Sequence, residues 1–271
     1  MTQISILGCG WLGLPLAKAL QKKGFRIKGS TTTFEKLNIL DSEGIEAYQI
    51  QLTNEEILGP IASFLEDSEI LIVDIPPKLR NQSEENFVKK IKNVLIAIKK
   101  SSIKKVLFVS STSVFADHTS WKKSIAEDDI PNPDTESGQQ LWTCEKLFFE
   151  QNTFTTTIVR FGGLIGAQRH PVYMLSGKKN IVNPLAPINL IHLDDCIEIL
   201  IQIIEQNAWS ELIHGVAPFH PSRKEYYQNV AKELHLSQPE FNENIESVGK
   251  CITSLKLNSI LNYKFKKPFL K

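Results

Sequence analysis

The chain has 271 residues, 42% hydrophobic and 23% charged, with 31 Lys plus Arg against 30 Asp plus Glu. This length and composition exclude a disulfide-stapled mini-fold, and the near-zero net charge excludes a general pull toward phosphate backbones or anionic membranes, so neither nucleic acid nor membrane is expected as a partner. The longest apolar stretches, such as Ile70 to Val73, are far too short to cross a bilayer.

Met1 leads almost directly into Ile4-Ser5-Ile6-Leu7 without the basic and long apolar segments of a secretory signal, so a cytoplasmic location is expected. Cys9, Cys144, Cys196 and Cys251 lie far apart with no CxxC pair. Reduced, packed thiols are expected, with no zinc or other metal site.

In chain order, Ile4 to Leu7 reads as a strand ending at Gly8, and Trp11 to Leu20 as a helix stopped by Lys22-Lys23-Gly24. Pro15 argues that this helix starts near Leu12 or is locally distorted. Phe25 to Lys28 reads as the next strand, completing a β-turn-α-β unit of about 30 residues. Glu69 to Val73 is a buried-type strand, and Phe87, Ile91, Val94, Leu95 and Ile98 form one helix face at 3.6-residue spacing.

Val106 to Val109 is another strand, followed by a polar loop through Asn132-Pro133, a helix from about Gln139 to Glu150 and the strand Thr156 to Arg160. Gly162-Gly163 to Pro187 is loosely patterned, and helices follow at about Asp194 to Glu205 and Arg223 to Leu234. The alternation predicts an α/β fold, a doubly wound parallel sheet covered on both faces. Residues 1–160 read as its core, and 161–271 mainly as a small discontinuous second lobe, with about 188–206 returning to the core.

Gly8-Cys9-Gly10-Trp11-Leu12-Gly13 is G-x-G-x-x-G between a strand and a helix, the context of a dinucleotide turn. The first glycine permits the tight turn, the second lets backbone approach a pyrophosphate, and the third lets helix and strand pack closely. The run through Pro15 and Ala17 would also suit a sugar-nucleotide 6-dehydrogenase, but those are larger chains with a catalytic cysteine, and no later segment supports them.

At the end of the second strand, Gly29-Ser30-Thr31-Thr32-Thr33 offers hydroxyls and no carboxylate, with Lys36 nearby. A carboxylate there would pair with a free ribose 2′-hydroxyl and repel a 2′-phosphate, so NADP is expected over NAD. The competing reading of the same residues is a Ser/Thr-rich loop capping a helix at Phe34.

Val109-Ser110-Ser111-Thr112-Ser113-Val114-Phe115 resembles the Ser-Ser-x-x-Val-Tyr-Gly segment of extended short-chain dehydrogenase/reductases. Arg160 to Gly166 resembles their Arg-x-x-x-x-Tyr-Gly segment with Ile165 for tyrosine, and Asn189 to Asp195 their Asn-Arg-Ile-His-Val-Asp-Asp segment with Leu190 for arginine. Ile75-Pro76-Pro77 and Gly249-Lys250 resemble the short, atypical members described as NAD(P)-dependent epimerase/dehydratase-like. The matches span nearly the whole chain in the family's order.

The resemblance implies a cofactor site at Gly8, Gly10, Trp11, Leu12, Gly13, Ser30 to Thr33, Ile75 to Pro77, Ser110 and Lys146. It implies a Ser/Tyr/Lys catalytic group, matched by Ser111, Trp142 and Lys146. Trp142 stands where tyrosine belongs, and an indole N–H does not titrate in water, so the usual proton relay is lost while the binding scaffold is kept. The alternative acids or bases are Asp117, His118 and Tyr173. Arg169 and Tyr173 are the substrate-side candidates, Arg169 as an anion contact.

His192 with Asp194-Asp195 sits at a strand-to-helix junction where Asp is expected to cap the helix, and the cluster is read as that rather than as a metal site. Two functions follow: an NAD(P)-binding oxidoreductase or epimerase-like protein on a small polar substrate, sugar derivatives included, or a cofactor-binding sensor without catalysis. A homodimer is the assembly to test.

Overall fold

The computed structural model describes residues 1–77 and 86–270. Its strands are β1 (Gln3–Leu7), β2 (Arg26–Thr31), β3 (Glu46–Gln49), β4 (Gln51–Leu52), β5 (Ile57–Leu58), β6 (Ile70–Val73), β7 (Lys105–Ser111), β8 (Thr155–Phe161), β9 (Gly163–Ile165), β10 (Leu190–His192) and β11 (Leu212–Gly215). The helices are α1 (Gly13–Lys22), α2 (Leu37–Ser42), α3 (Ile61–Leu65), α4 (Phe87–Lys99), α5 (Glu136–Phe149), α6 (Pro171–Leu175), α7 (Leu193–Glu205), α8 (Arg223–Glu233) and α9 (Leu255–Leu261).

Seven strands form one parallel sheet in the order β11-β8-β7-β6-β1-β2-β3. The chain winds one way from β1 to β3 and the other way from β6 to β11, so the direction reverses between β1 and β6. A crevice at the carboxyl ends of those two strands is where ligands enter such sheets. One face is covered by Leu16 and Leu20 of α1, Ile199 and Ile203 of α7 and Leu257 and Leu261 of α9. The other is covered by Ile91 and Leu95 of α4 and Leu141 and Phe148 of α5.

The apolar stripe expected from Phe87 to Ile98 is the buried face of α4, whose first turn is capped by the Asn86 side chain accepting from the Lys89 amide at 2.9 Å. α5 starts three residues earlier than its apolar pattern predicts, because Thr135 caps it by accepting from the Gly138 amide. β2 continues past Lys28: Ser30 and Thr31 pair with Tyr48 and Gln49 of β3, a strand without an apolar run to announce it. β9 and α9 also lacked a sequence signal.

At α7 the capping residue is His192, not an aspartate: its Nδ1 accepts from the Asp194 amide at 3.2 Å. Asp195 is fully buried and accepts from the Tyr263 hydroxyl and the Lys266 amide, each at 2.6 Å, tying the C-terminal segment to α7. Asn189 ties down a second segment, donating to the Lys250 carbonyl at 2.7 Å and accepting from the Ile252 amide at 2.8 Å. A small separate cluster of Val172, Ile188, Tyr226 and Tyr227 supports α6 and α8.

Candidate functional site

The three glycines of the first turn meet different surroundings. Gly8 has φ 110°, in the left-handed region that favours glycine, and a Cβ there would lie 2.2 Å from the Asp74 carbonyl oxygen. A Cβ at Gly13 would lie 2.2 Å from the Gly8 carbonyl oxygen. Both are required by packing. Gly10 has no φ constraint of this kind, and a Cβ there would meet no atom within 4 Å.

The turn is braced from β2, where the Gly8 amide donates to Ser30 Oγ at 3.0 Å and the Cys9 amide to the Ser30 carbonyl at 2.8 Å. Ser30 is therefore a buried strut of the turn. Thr31, also buried, has its Oγ1 occupied by the Thr33 amide at 3.2 Å, which leaves Thr32 and Thr33 as the exposed hydroxyls beyond the strand. The Leu12 side chain is in the core, so this residue offers only its amide; Ile75 of the Ile75-Pro76-Pro77 loop lies against Gly8.

Asp74 directly follows β6 and lies against the turn, a residue the sequence reading passed over. Burial pushes its carboxyl up to about 7, against the opposing pull of the Gly13 N–H and of Arg169. A charged residue closing an apolar strand beside the reversal point is a usable signal, because ligand positions in such sheets cluster there. Cys9 and Cys144 are pushed up to about 12 by burial, so they are inert thiols.

At the end of β7, Ser111 caps a turn with its Oγ accepting from the Ser113 amide at 3.1 Å. Trp142 and Lys146 lie one turn apart on α5, with Lys146 Nζ 4.3 Å from the centre of the indole ring. Ser110 points the other way: its hydroxyl is buried and donates to Glu145 Oε1 at 2.6 Å. The same Glu145 carboxylate takes Arg160 Nη2 at 2.7 Å and Nε at 3.0 Å.

His214 closes this buried chain. Its Nδ1 lies 3.0 Å from the Thr253 carbonyl, which only accepts, so Nδ1 carries the proton and Nε2 faces Arg160 Nη1 at 3.5 Å. Burial and the Arg160 charge push the imidazole down to about 4, which keeps it neutral. Ser110 and Glu145 of this network are chain neighbours of Ser111 and Lys146; Ser110 and Arg160 stand in segments singled out from the sequence, whereas His214 carried no such signal.

The alternative acid-base residues are engaged elsewhere. Asp117 Oδ1 pairs with Lys250 Nζ at 3.2 Å, and His118 Nε2 lies 2.9 Å from Asn132 Nδ2. Tyr173 is exposed on α6. Arg169 stacks its guanidinium 4.7 Å from the Trp11 ring centre, beside the glycine turn.

A seven-stranded parallel sheet with this glycine turn at its reversal point is a Rossmann-like α/β fold. No family model matches the sequence. Protein YeeZ of Escherichia coli (strain K12) is 28% identical over 275 residues, covering 99% of this chain and 97% of that protein.

The fold is similar to that of a UDP-glucuronic acid 4-epimerase variant from Bacillus cereus, solved with a fluorinated UDP-glucuronic acid and NAD, at a TM-score of 0.79 and 17% identity over 98% of this chain and 94% of that one. It is similar also to a short-chain dehydrogenase/reductase superfamily protein from Agrobacterium tumefaciens with bound NAD, at a TM-score of 0.76 and 12% identity over 97% and 92%.

Proposed function

We propose that this chain is an extended short-chain dehydrogenase/reductase that binds NADP and acts as an oxidoreductase or epimerase-like enzyme on a small polar, sugar-derived substrate in the cytoplasm. The observation that carries the reading is the contrast within the glycine turn. Gly8 and Gly13 are needed for packing, whereas at Gly10 the protein keeps an empty space that any side chain would fill. A ligand's close approach explains that economy. At the head of α1 the Gly13 amide faces the Asp74 carboxyl, the Leu14 amide donates to the Gly10 carbonyl at 3.1 Å and Pro15 has no N–H, so the amides that would meet an anion are those of Trp11 and Leu12 in the turn itself.

The bound dinucleotide would supply hydride transfer. For its part, the chain offers Lys146 to hold a ribose and Ser111 to donate to a substrate oxygen. Exposed Thr32, Thr33 and Lys36 suit a 2′-phosphate, with no carboxylate at the strand end itself to repel it. The nucleotide-sugar epimerases among the structural neighbours support a sugar-derived substrate. Three buried thiols without a disulfide suit a reducing compartment.

Calorimetry of the parent and of Gly10→Val with NADP(H) tests the central claim. The variant should fold, because the space is open, and lose binding; a folded variant that binds as the parent does would refute the cofactor site. The second reading, a sensor without turnover, is favoured by one observation: Trp142 offers Lys146 a ring face where a phenol relay would stand.

A further inference from the structure

Resting on the dinucleotide reading above, we propose that Arg169 is a cofactor residue: its guanidinium, held on the Trp11 ring, closes over the pyrophosphate at the glycine turn as a clamp donated by the second lobe. This reassigns the residue from the substrate, where its sequence position had put it.

Three observations converge on this position. The guanidinium lies 4.7 Å from the Trp11 ring centre, and Trp11 is itself a residue of the G-x-G-x-x-G turn whose amide heads α1. The Arg169 charge also favours the ionised Asp74 carboxyl against the burial that raises it, and Asp74 faces the Gly13 amide of the turn. The backbone that carries Arg169 is also pressed against the turn. A Cβ at Gly166 would lie 3.0 Å from Trp11 Cζ2, and Gly166 and Arg169 exchange two backbone hydrogen bonds of 3.0 Å around Gln168 at φ 59°. The arginine is thus carried on a closed hairpin seated on the indole edge while its side chain covers the indole face.

The chemistry suits a diphosphate. A guanidinium presents parallel N–H donors that match phosphate oxygens, and stacking on an aromatic ring fixes its plane before the ligand arrives. Preorganisation lowers the ordering cost of binding. The charge is also needed, because the Asp74 carboxylate behind the turn otherwise opposes a dianion at that spot. Arg169 is exposed, so replacing it leaves the core untouched.

The test is calorimetry of the full chain with three probes: NADP, ADP-ribose, which has the pyrophosphate without the 2′-phosphate, and 2′-AMP, which has no pyrophosphate. Arg169→Gln should weaken NADP and ADP-ribose by about ten- to a hundred-fold and leave 2′-AMP within about twofold, the loss of one charge-assisted phosphate contact. Arg169→Lys should fall between, keeping the charge without the fork. Unchanged ADP-ribose affinity in Arg169→Gln, or an equal loss for all three probes, overturns the clamp. If Gly10→Val abolishes ADP-ribose binding while Arg169→Gln does not, the cofactor site stands and only the clamp falls; if the parent binds neither NADP nor ADP-ribose, both fall.

Discussion

Lys146 Nζ rests 4.3 Å from the centre of the Trp142 ring, so the ammonium that would depress a tyrosine pKa is stacked instead on an indole face. The cation–π contact contributes about 0.5–1 kcal/mol at an exposed site and moves no proton. In the reading proposed above, Ser111 and Lys146 would keep the places of a catalytic frame whose acid-base member is an aromatic wall.

Trp142→Tyr should therefore create or raise NADPH-dependent reduction of carbonyl compounds, by up to the ~10²–10⁴-fold that a positioned acid-base group supplies. The gain should vanish in Trp142→Tyr with Lys146→Met. Turnover by the parent that survives both Ser111→Ala and Lys146→Met would move the active centre away from this frame.

Beneath that frame, the Glu145 and Arg160 side chains are 2% and 3% exposed and joined by a two-pronged contact. Removing one partner leaves a buried charge alone, so Glu145→Gln should lower unfolding free energy by about 3–5 kcal/mol in urea. A companion variant, Glu145→Leu with Arg160→Met, should recover much of that loss. A loss below about 1 kcal/mol in Glu145→Gln would show that the pair is not isolated from solvent.

These contacts explain which parts of the molecule could be read in advance. α4 and the first βα turn were legible because each is specified locally, by a 3.6-residue apolar stripe and by glycine spacing. Ser30 was not: as a residue of a Ser/Thr run it looked like a ligand-facing hydroxyl, and only the packing of β2 against β1 shows that it braces Gly8. The partner of Ser110 was hidden for the same reason, since Glu145 lies 35 residues away. The Arg169 charge acts on Asp74 across nearly a hundred residues of chain, a relation that no local pattern records.

The course of β2 also sharpens the test of cofactor choice. Thr31 is buried in the strand, so a carboxylate there would be costly for folding, whereas Thr32 is exposed just beyond it. Thr32→Asp should weaken NADP by about tenfold or more through repulsion of the 2′-phosphate while leaving NAD little changed. Calorimetry with both cofactors checks this, and tighter binding of NAD than NADP by the parent would remove the argument.

Asp74 makes the strongest pH-dependent prediction. Its carboxyl is raised by burial from 3.8 to about 7, so the folded chain keeps this proton over a range in which the unfolded chain has released it. The folded state then binds more protons, and stability from this group falls as pH rises from about 4 to about 7 and levels off above. Asp74→Asn should remove that slope, making the variant less sensitive than the parent when urea midpoints are compared at about pH 5 and about pH 8. Binding follows the same sign. Above about 7 the ionised carboxylate competes for the Gly13 N–H and repels a pyrophosphate, so affinity for ADP-ribose, which does not titrate in this range, should weaken as pH rises through the Asp74 transition. In Asp74→Asn the affinity should stay flat, and in Arg169→Gln the transition should move to higher pH, because the cation that favours the ionised form is gone. A parent whose ADP-ribose affinity is independent of pH across this range would mean that Asp74 does not change charge behind the turn.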